Sequence, residues 1–184
     1  NLYNYLLKSA KKLEDEGIRP INGDCGFMAL FQKRLANELN VPVFLSSMLQ
    51  VPFISNIIAE NEKIAVLSAN GKSLNDEKLL KRVGIKNRDK LIIHGLEKRE
   101  NFYNAIIEET GNLDYTEIKT EVVEEAEKLV NEFDNIASFL LECSVLPPYA
   151  KAVQEKTKLP VFDYVSMINY VYSAVIKNEY NGVY

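Results

Sequence analysis

The chain of 184 residues contains two cysteines, and each one directly follows an acidic residue. Cys25 follows Asp24 in the segment NGDCGF, and Cys143 follows Glu142 in the segment LECSV. A thiolate can take a proton from carbon and a thiol can return one, so two cysteines on opposite sides of one carbon could invert it. The two acids could accept the thiol proton, oppose thiolate formation by their charge, or bond locally elsewhere. Cys25 and Cys143 are therefore candidate catalytic residues, with Asp24 and Glu142 as candidate assisting residues.

Composition narrows the class of protein. Hydrophobic residues make up 47% of the chain and charged residues 26%, as in ordinary globular proteins. A formal net charge of −4 argues against nucleic acid or an anionic membrane as a partner. Two cysteines are too few for a disulfide framework, and one histidine argues against the common zinc patterns. We therefore expect no metal. We also expect no membrane span, because prolines interrupt the uncharged residues 39–59. A reducing cytoplasm is the expected compartment.

A repeat appears when the chain is shifted by 118 residues, the interval between the two cysteines. The tripeptide PVF at residues 42–44 then falls on PVF at residues 160–162, and Asp24 falls on Glu142. Each half reads as a strand, a cysteine, a helix, a short strand and a helix. This pattern predicts an internal duplication, with a chance match as the alternative.

Alternating strand and helix patterns predict an open α/β sheet of parallel strands. Strands are expected at residues 64–69, 90–96, 137–143 and 159–163, with another ending at Cys25, and helices at 72–83, 99–109, 116–133, 147–157 and from 163 onward. The repeat predicts two pseudo-symmetric lobes, a first of residues 1–60 with 164–184 and a second of 61–163. The first half then lacks about two strands and a helix, so we expect the full protein to begin about 50 to 60 residues earlier.

The predicted positions of the two cysteines favour a catalytic role for them. Ligands of open α/β sheets bind beyond the carboxyl ends of the strands, and both cysteines are predicted at such ends. Each precedes a predicted helix, whose positive end should stabilise a thiolate and could hold a substrate carboxylate. A pseudo-twofold relation between the lobes would place the two sulfurs across a shared cleft.

The segments GDCGFMALFQ, VPVFLSSMLQVP, IAVLSAN and LECSVLPPYAKAVQEKTKLPVFD resemble the aspartate/glutamate/hydantoin racemase superfamily over essentially the whole chain. That resemblance implies two similar lobes, a site between them, one cysteine from each lobe as base and acid, and no cofactor. It also implies that Gly26 and Ser144 hold the substrate carboxylate, and that Ser68 does so where the family has a threonine. The family has a glycine-containing first strand and a second strand that this chain lacks.

We accordingly predict an isomerase, a cofactor-independent racemase or epimerase of an amino acid or related carboxylate. A maleate isomerase-like or decarboxylase activity remains open, as does a ligand-binding or redox-sensing protein without catalysis. His94 is expected to be a core or rim residue. The tyrosines of the C-terminal region are candidates for a homodimer surface or for core packing: Tyr164, Tyr170, Tyr172, Tyr180 and Tyr184. The sequence fixes neither the substrate nor the oligomeric state.

Overall fold

The computed structural model describes residues 1–23, 25–179 and 182. Its α-helices are Leu2–Asp15 (α1), Gln32–Glu38 (α2), Val51–Ile57 (α3), Gly71–Leu74 (α4), Glu77–Arg82 (α5), Glu100–Phe102 (α6), Tyr115–Glu132 (α7), Ala150–Thr157 (α8) and Tyr164–Val175 (α9). Its strands are Ile21–Asn22 (β1), Val43–Phe44 (β2), Lys63–Ser68 (β3), Leu91–Gly95 (β4), Ile136–Leu141 (β5) and Val161–Phe162 (β6). Short 3₁₀ helices lie at Gly26–Phe31, Ser47–Gln50, Arg88–Lys90 and Pro147–Tyr149, and a π-helical turn lies at Tyr103–Ile107.

The strands form two parallel sheets. One has four strands in the order β4-β3-β5-β6, and the other pairs β1 with β2. Helices connect the parallel strands, as the chain must cross the sheet between neighbours that run in the same direction. The α/β class and the parallel sheets predicted from the sequence are confirmed.

The central strand β3 is buried on both faces, which explains its unbroken apolar sequence. Ala65 and Leu67 pack on one side against a core that includes α7 and α8. Ile64 and Val66 point to the other side, against residues of α3 and α5. Successive side chains of a strand face opposite sides, so β3 joins two separate cores. This burial fixes the ends of β3 and β5, from which the site residues emerge.

The structural elements repeat at the same interval as the sequence. Moved by 118 residues, Val43–Phe44 (β2) becomes Val161–Phe162 (β6), and the last residue of α3 becomes the last residue of α9. In each half a 3₁₀ helix leads directly into an α-helix, with Gly26–Phe31 before α2 and Pro147–Tyr149 before α8. The segments that follow the two cysteines therefore adopt equivalent conformations.

Several boundaries differ from the predictions. The strand predicted to end at Cys25 is only two residues long, and Cys25 instead precedes a 3₁₀ helix. The helix predicted at 72–83 is two helices, because the Asp76 side chain accepts a hydrogen bond from the Leu79 N–H and starts a new helix there. The helix predicted at 99–109 is a short α-helix followed by a π-helical turn. Local capping decided the break between α4 and α5, which hydrophobic periodicity alone does not show.

The C-terminal helix α9 packs on the two-stranded sheet formed by β1 and β2. Tyr164 and Met167 are buried with Phe44 of β2, and the Asn22 amide donates a hydrogen bond of 2.6 Å to the Tyr164 hydroxyl. The predicted lobe boundaries and homodimer surface stay predictions. Tyr164 is buried, Tyr170 and Tyr172 are exposed, and Tyr180 and Tyr184 lie outside the described residues. Within the described part of the chain, no helix is both long and apolar enough to cross a bilayer.

Candidate active site

Cys143 lies just beyond the carboxyl end of the central strand β5. The backbone N–H of the preceding residue, Glu142, donates a 2.8 Å hydrogen bond to the Leu67 carbonyl, so the β3–β5 ladder continues up to the cysteine. Cys143 is a free, half-buried thiol. The sheet therefore holds its backbone rigidly while part of the side chain stays accessible.

Cys25 occupies the matching place in the first half, immediately before the 3₁₀ helix Gly26–Phe31. Its backbone is extended, with φ −134° and ψ 131°, and its side chain is exposed. Asp24 lies outside the described residues, so its assisting role stays a prediction.

The fold brings the two cysteine segments together. Gly26, next to Cys25, lies so close to Glu142, next to Cys143, that a β-carbon on Gly26 would overlap the Glu142 carboxyl group. The two thiols are also near enough for a charge on Cys25 to raise the pKa of Cys143. Residues 118 positions apart in the sequence thus share one small region of the molecule.

Burial governs the protonation of Cys143. The pKa of this thiol is raised from 9.0 to about 11, mainly by loss of water contact and to a smaller extent by the charges of the neighbouring Glu142 and Cys25. The backbone N–H groups of Val145 and Ser144 point toward the sulfur and act in the opposite direction. The backbone N–H groups favour the thiolate of Cys143, as predicted from the sequence, but desolvation outweighs them and the pKa of the thiol is raised.

Glu142 is the most buried ionisable group at the site, with 3% of its surface exposed. Its Oε2 accepts a hydrogen bond of 2.7 Å from the Ser68 hydroxyl. Its Oε1 is buried without a hydrogen bond, although the nearby Gly26 amide is close enough to lower the pKa of the carboxyl group. Burial is the larger influence, and the net effect is a raised pKa.

The three residues predicted to hold a substrate carboxylate divide into two groups. Ser68 and Gly26 contact the Glu142 carboxyl group of the chain itself. Ser144 directs its backbone N–H toward the Cys143 sulfur. All three lie beside the cysteines, and their role in substrate binding stays a prediction.

Ser47 also belongs to this region; from the sequence, Ser46 and Ser47 are expected to be helix-capping or turn residues at a strand end, with ligand contact as the less favoured alternative. The Ser47 hydroxyl donates a hydrogen bond of 2.6 Å to the Glu142 carbonyl and so ties the segment after β2 to the segment after β5. The repeat gives no hint of this bond, since the equivalent position in the second half is Val165. Its neighbour Ser46 accepts a hydrogen bond from the Met48 N–H, as a helix cap does.

His94 takes a structural role elsewhere in the sheet. Its Nε2 lies 2.6 Å from Oε2 of Glu125 on α7, at the side of β4. Over the ranges that the structure describes, no cluster of three or more histidine, cysteine or carboxylate side chains has an arrangement suited to a metal ion.

No family model matches this chain. It is similar in sequence to dimethylsulfoniopropionate lyase 3 of Emiliania huxleyi, at 33% identity over 178 residues, 93% of this chain and 46% of that protein. Dimethylsulfoniopropionate lyase 7 of the same organism is 32% identical over 96% of this chain and 53% of its own length. A dimethylsulfoniopropionate lyase of Durusdinium is 28% identical over 92% of this chain and 57% of its length. The chain spans about half the length of the curated relatives it matches.

Solved structures with the same fold include racemases. The match with an aspartate racemase homologue from Pyrococcus horikoshii covers 94% of this chain and 73% of the homologue's chain, with a TM-score of 0.65 and 20% sequence identity. Glutamate racemase from Aquifex pyrophilus matches 95% of this chain and 66% of its own, with a TM-score of 0.55 and 21% identity. At these identities the similarity establishes the fold, which is that of the aspartate and glutamate racemases.

Proposed function

We propose that the protein removes a proton from the carbon next to a carboxylate, using the Cys25–Cys143 pair, and that its substrate is dimethylsulfoniopropionate. The observation that carries the proposal is the meeting of the two cysteine segments, with Gly26 against Glu142 and each thiol within electrostatic reach of the other. The similarity to dimethylsulfoniopropionate lyases over 93% of the chain supports the choice of substrate.

The proposed reaction is an elimination. A cysteine thiolate takes a proton from the carbon next to the carboxylate, and the electron pair of that C–H bond forms a double bond to the adjacent carbon. The bond from that carbon to the sulfonium sulfur breaks, and its electrons leave on dimethyl sulfide. Acrylate is the other product, and the cysteine ends as a thiol that must lose its proton before the next cycle. A carbon acid of this kind needs a well-placed base, which typically contributes 10² to 10⁴ in rate, an order-of-magnitude range.

Racemisation of an amino acid or related carboxylate is the second candidate. It begins with the same proton removal but returns a proton to the opposite face of the carbon. The presence of two cysteines, one from each half, favours this reaction, because inversion needs an acid opposite the base. It was also the reaction predicted from the sequence, and the racemase fold supports it.

Proton NMR in deuterated water separates the two candidates. With dimethylsulfoniopropionate, a lyase gives acrylate and dimethyl sulfide. With a panel of amino acids and hydantoins, a racemase gives deuterium at the α-carbon without new alkene signals. Absence of both results would contradict the proposal that the site removes such protons.

Single substitutions connect the activity to the cysteines. We expect Cys25→Ser and Cys143→Ser each to lower the rate by about 10²-fold or more, because a hydroxyl is a far weaker base than a thiolate. Ser173→Ala, on the exposed side of α9, is the matched control and should keep the rate. Full turnover in both cysteine variants would exclude the two-cysteine mechanism.

A further inference from the structure

Glu142 is an unusual group to find buried beside two cysteine segments. The residue is 3% exposed, and one of its carboxyl oxygens is buried without a hydrogen bond. Moving a charged carboxylate out of water costs several kcal/mol in a typical case unless a cation or a full set of donors replaces the water. Glu142 therefore needs either a compensating partner or a proton.

The contacts of Glu142 do not supply a compensating positive charge. The groups against its carboxyl are the Ser68 hydroxyl and the Gly26 backbone. Among the residues that the structure describes, the titratable groups that face this region are the thiols of Cys25 and Cys143, whose ionised forms are negative. Across the described ranges, no lysine, arginine or histidine forms an ion pair with Glu142.

Another buried glutamate shows what full compensation looks like. Glu121 on α7 accepts hydrogen bonds from the backbone N–H groups of Asn101 and Phe102 at the start of α6, and also from the Asn101 side chain. Both of its oxygens are used, one by each backbone group. The Glu142 carboxyl group has one hydrogen-bond donor at 2.7 Å, and its second oxygen is buried without a hydrogen bond.

We propose that Glu142 remains a neutral carboxylic acid at neutral pH and acts as a positioning residue, joining the Cys25 loop to the Cys143 loop without placing a negative charge beside the catalytic thiols. A protonated carboxyl suits the hydroxyl of Ser68, which can either donate to it or accept from it. Oε1 then faces the Gly26 amide as an uncharged carbonyl oxygen, for which a missing hydrogen bond is much less costly than for a carboxylate.

The neutral form has a consequence for the chemistry. An ionised Glu142 would oppose formation of the adjacent Cys143 thiolate, since its charge raises the pKa of that thiol. A neutral Glu142 keeps its hydrogen bond with Ser68 and its close contact with Gly26 of the other half, and removes this opposition. Only this consequence for catalysis rests on the proposed function; the charge state of Glu142 is a property of the protein without substrate.

Infrared spectroscopy tests the charge state directly. At neutral pH the unmodified protein should show the carbonyl band of a protonated carboxyl group, and Glu142→Gln should lack it. Glu121→Gln, the same exchange at the other buried glutamate, should leave the band in place. Absence of the band from the unmodified protein would overturn the proposal, and that result does not depend on any variant folding.

Alkylation of Cys143 tests the effect on the thiol, in a Cys25→Ser background where it is the remaining cysteine. We expect rates with iodoacetamide to agree within about twofold with and without Glu142→Gln near pH 6 to 7, and to diverge at higher pH, with the Glu142 protein slower as the carboxyl ionises. A carboxylate charged throughout would instead make the Gln variant faster by about fivefold or more already near pH 6, and this would overturn the proposal. Neither measurement uses substrate, so a failed lyase or racemase assay leaves both tests intact.

Discussion

The two cysteines occupy equivalent places in two copies of one structural unit, yet their surroundings differ. Cys143 follows β5, which pairs with β3 on one side and β6 on the other, and its thiol is half-buried. Cys25 follows β1, a two-residue strand that pairs with β2 in the described part of the chain, and its side chain is exposed. The repeat places two sulfurs in one region, while the depth of each sheet decides how tightly each sulfur is enclosed.

The residues next to the cysteines show the same asymmetry. Gly26 follows Cys25 and leaves room for the Glu142 carboxyl, whereas Ser144 follows Cys143 and carries a side chain. The two halves therefore contact each other through unlike surfaces. The first half has a space at Gly26, and the Glu142 carboxyl group of the second half occupies that space. A repeated unit can contribute the same thiol twice and still build a site with two distinct sides.

Thiol reactivity should show the largest difference between the two sides. With its pKa raised from 9.0 to about 11, Cys143 should react about a hundredfold more slowly at neutral pH than an ordinary free thiol such as N-acetylcysteine. Cys25, being exposed, should be modified first. Peptide mass spectrometry after timed iodoacetamide treatment measures both rates, and preferential labelling of Cys143 would reverse the comparison.

Alanine placed after each cysteine probes the unlike packing of the two halves. We expect Gly26→Ala to lower the free energy of unfolding by about 2 kcal/mol, since its β-carbon overlaps the Glu142 carboxyl group. Ser144→Ala, the matched change in the other half, removes an atom rather than adding one and should cost much less. Urea denaturation measures both.

Combining Gly26→Ala with Glu142→Ala identifies the source of the Gly26 effect. Removing the carboxyl group should relieve the overlap, so the two changes together should cost less than the sum of the single changes. Strict additivity would show that the Gly26 backbone, rather than contact between the halves, sets the cost.

Ionisation of Cys143 at alkaline pH should lower the free energy of unfolding by a smaller amount than Gly26→Ala does. A thiol with a raised pKa in the folded state binds its proton more tightly there than in the unfolded chain, so stability falls as pH rises between 9.0 and about 11. At pH 10 the loss from this thiol is about 1.4 kcal/mol. Cys143→Ala should flatten the fall in stability between pH 8 and 10, and Cys25→Ala should flatten it less; equal effects would contradict the asymmetry.

Much of the fold could be predicted because its signals are local. Long apolar runs marked β3 and β5, and the interval of 118 residues related β2 to β6 in the sequence alone. The break between α4 and α5 was missed, because it depends on the side chain of Asp76 capping a new helix. Likewise β1 proved shorter than its sequence suggested, so Cys25 lies beyond the end of the strand, with an extended backbone directly before a 3₁₀ helix.

The sequence by itself determined the chemical groups of the candidate site: two cysteines at equivalent positions of a repeated strand–helix unit, each preceded by an acid. The tertiary structure decided the burial, the contacts and the charged neighbours of those groups. It buried Cys143 and Glu142, placed Gly26 against the carboxyl group, and brought in Ser47 and Ser68 from other segments. The physical reason is that pKa values and contacts depend on the water and charges around a group, and those are set by residues distant in the chain.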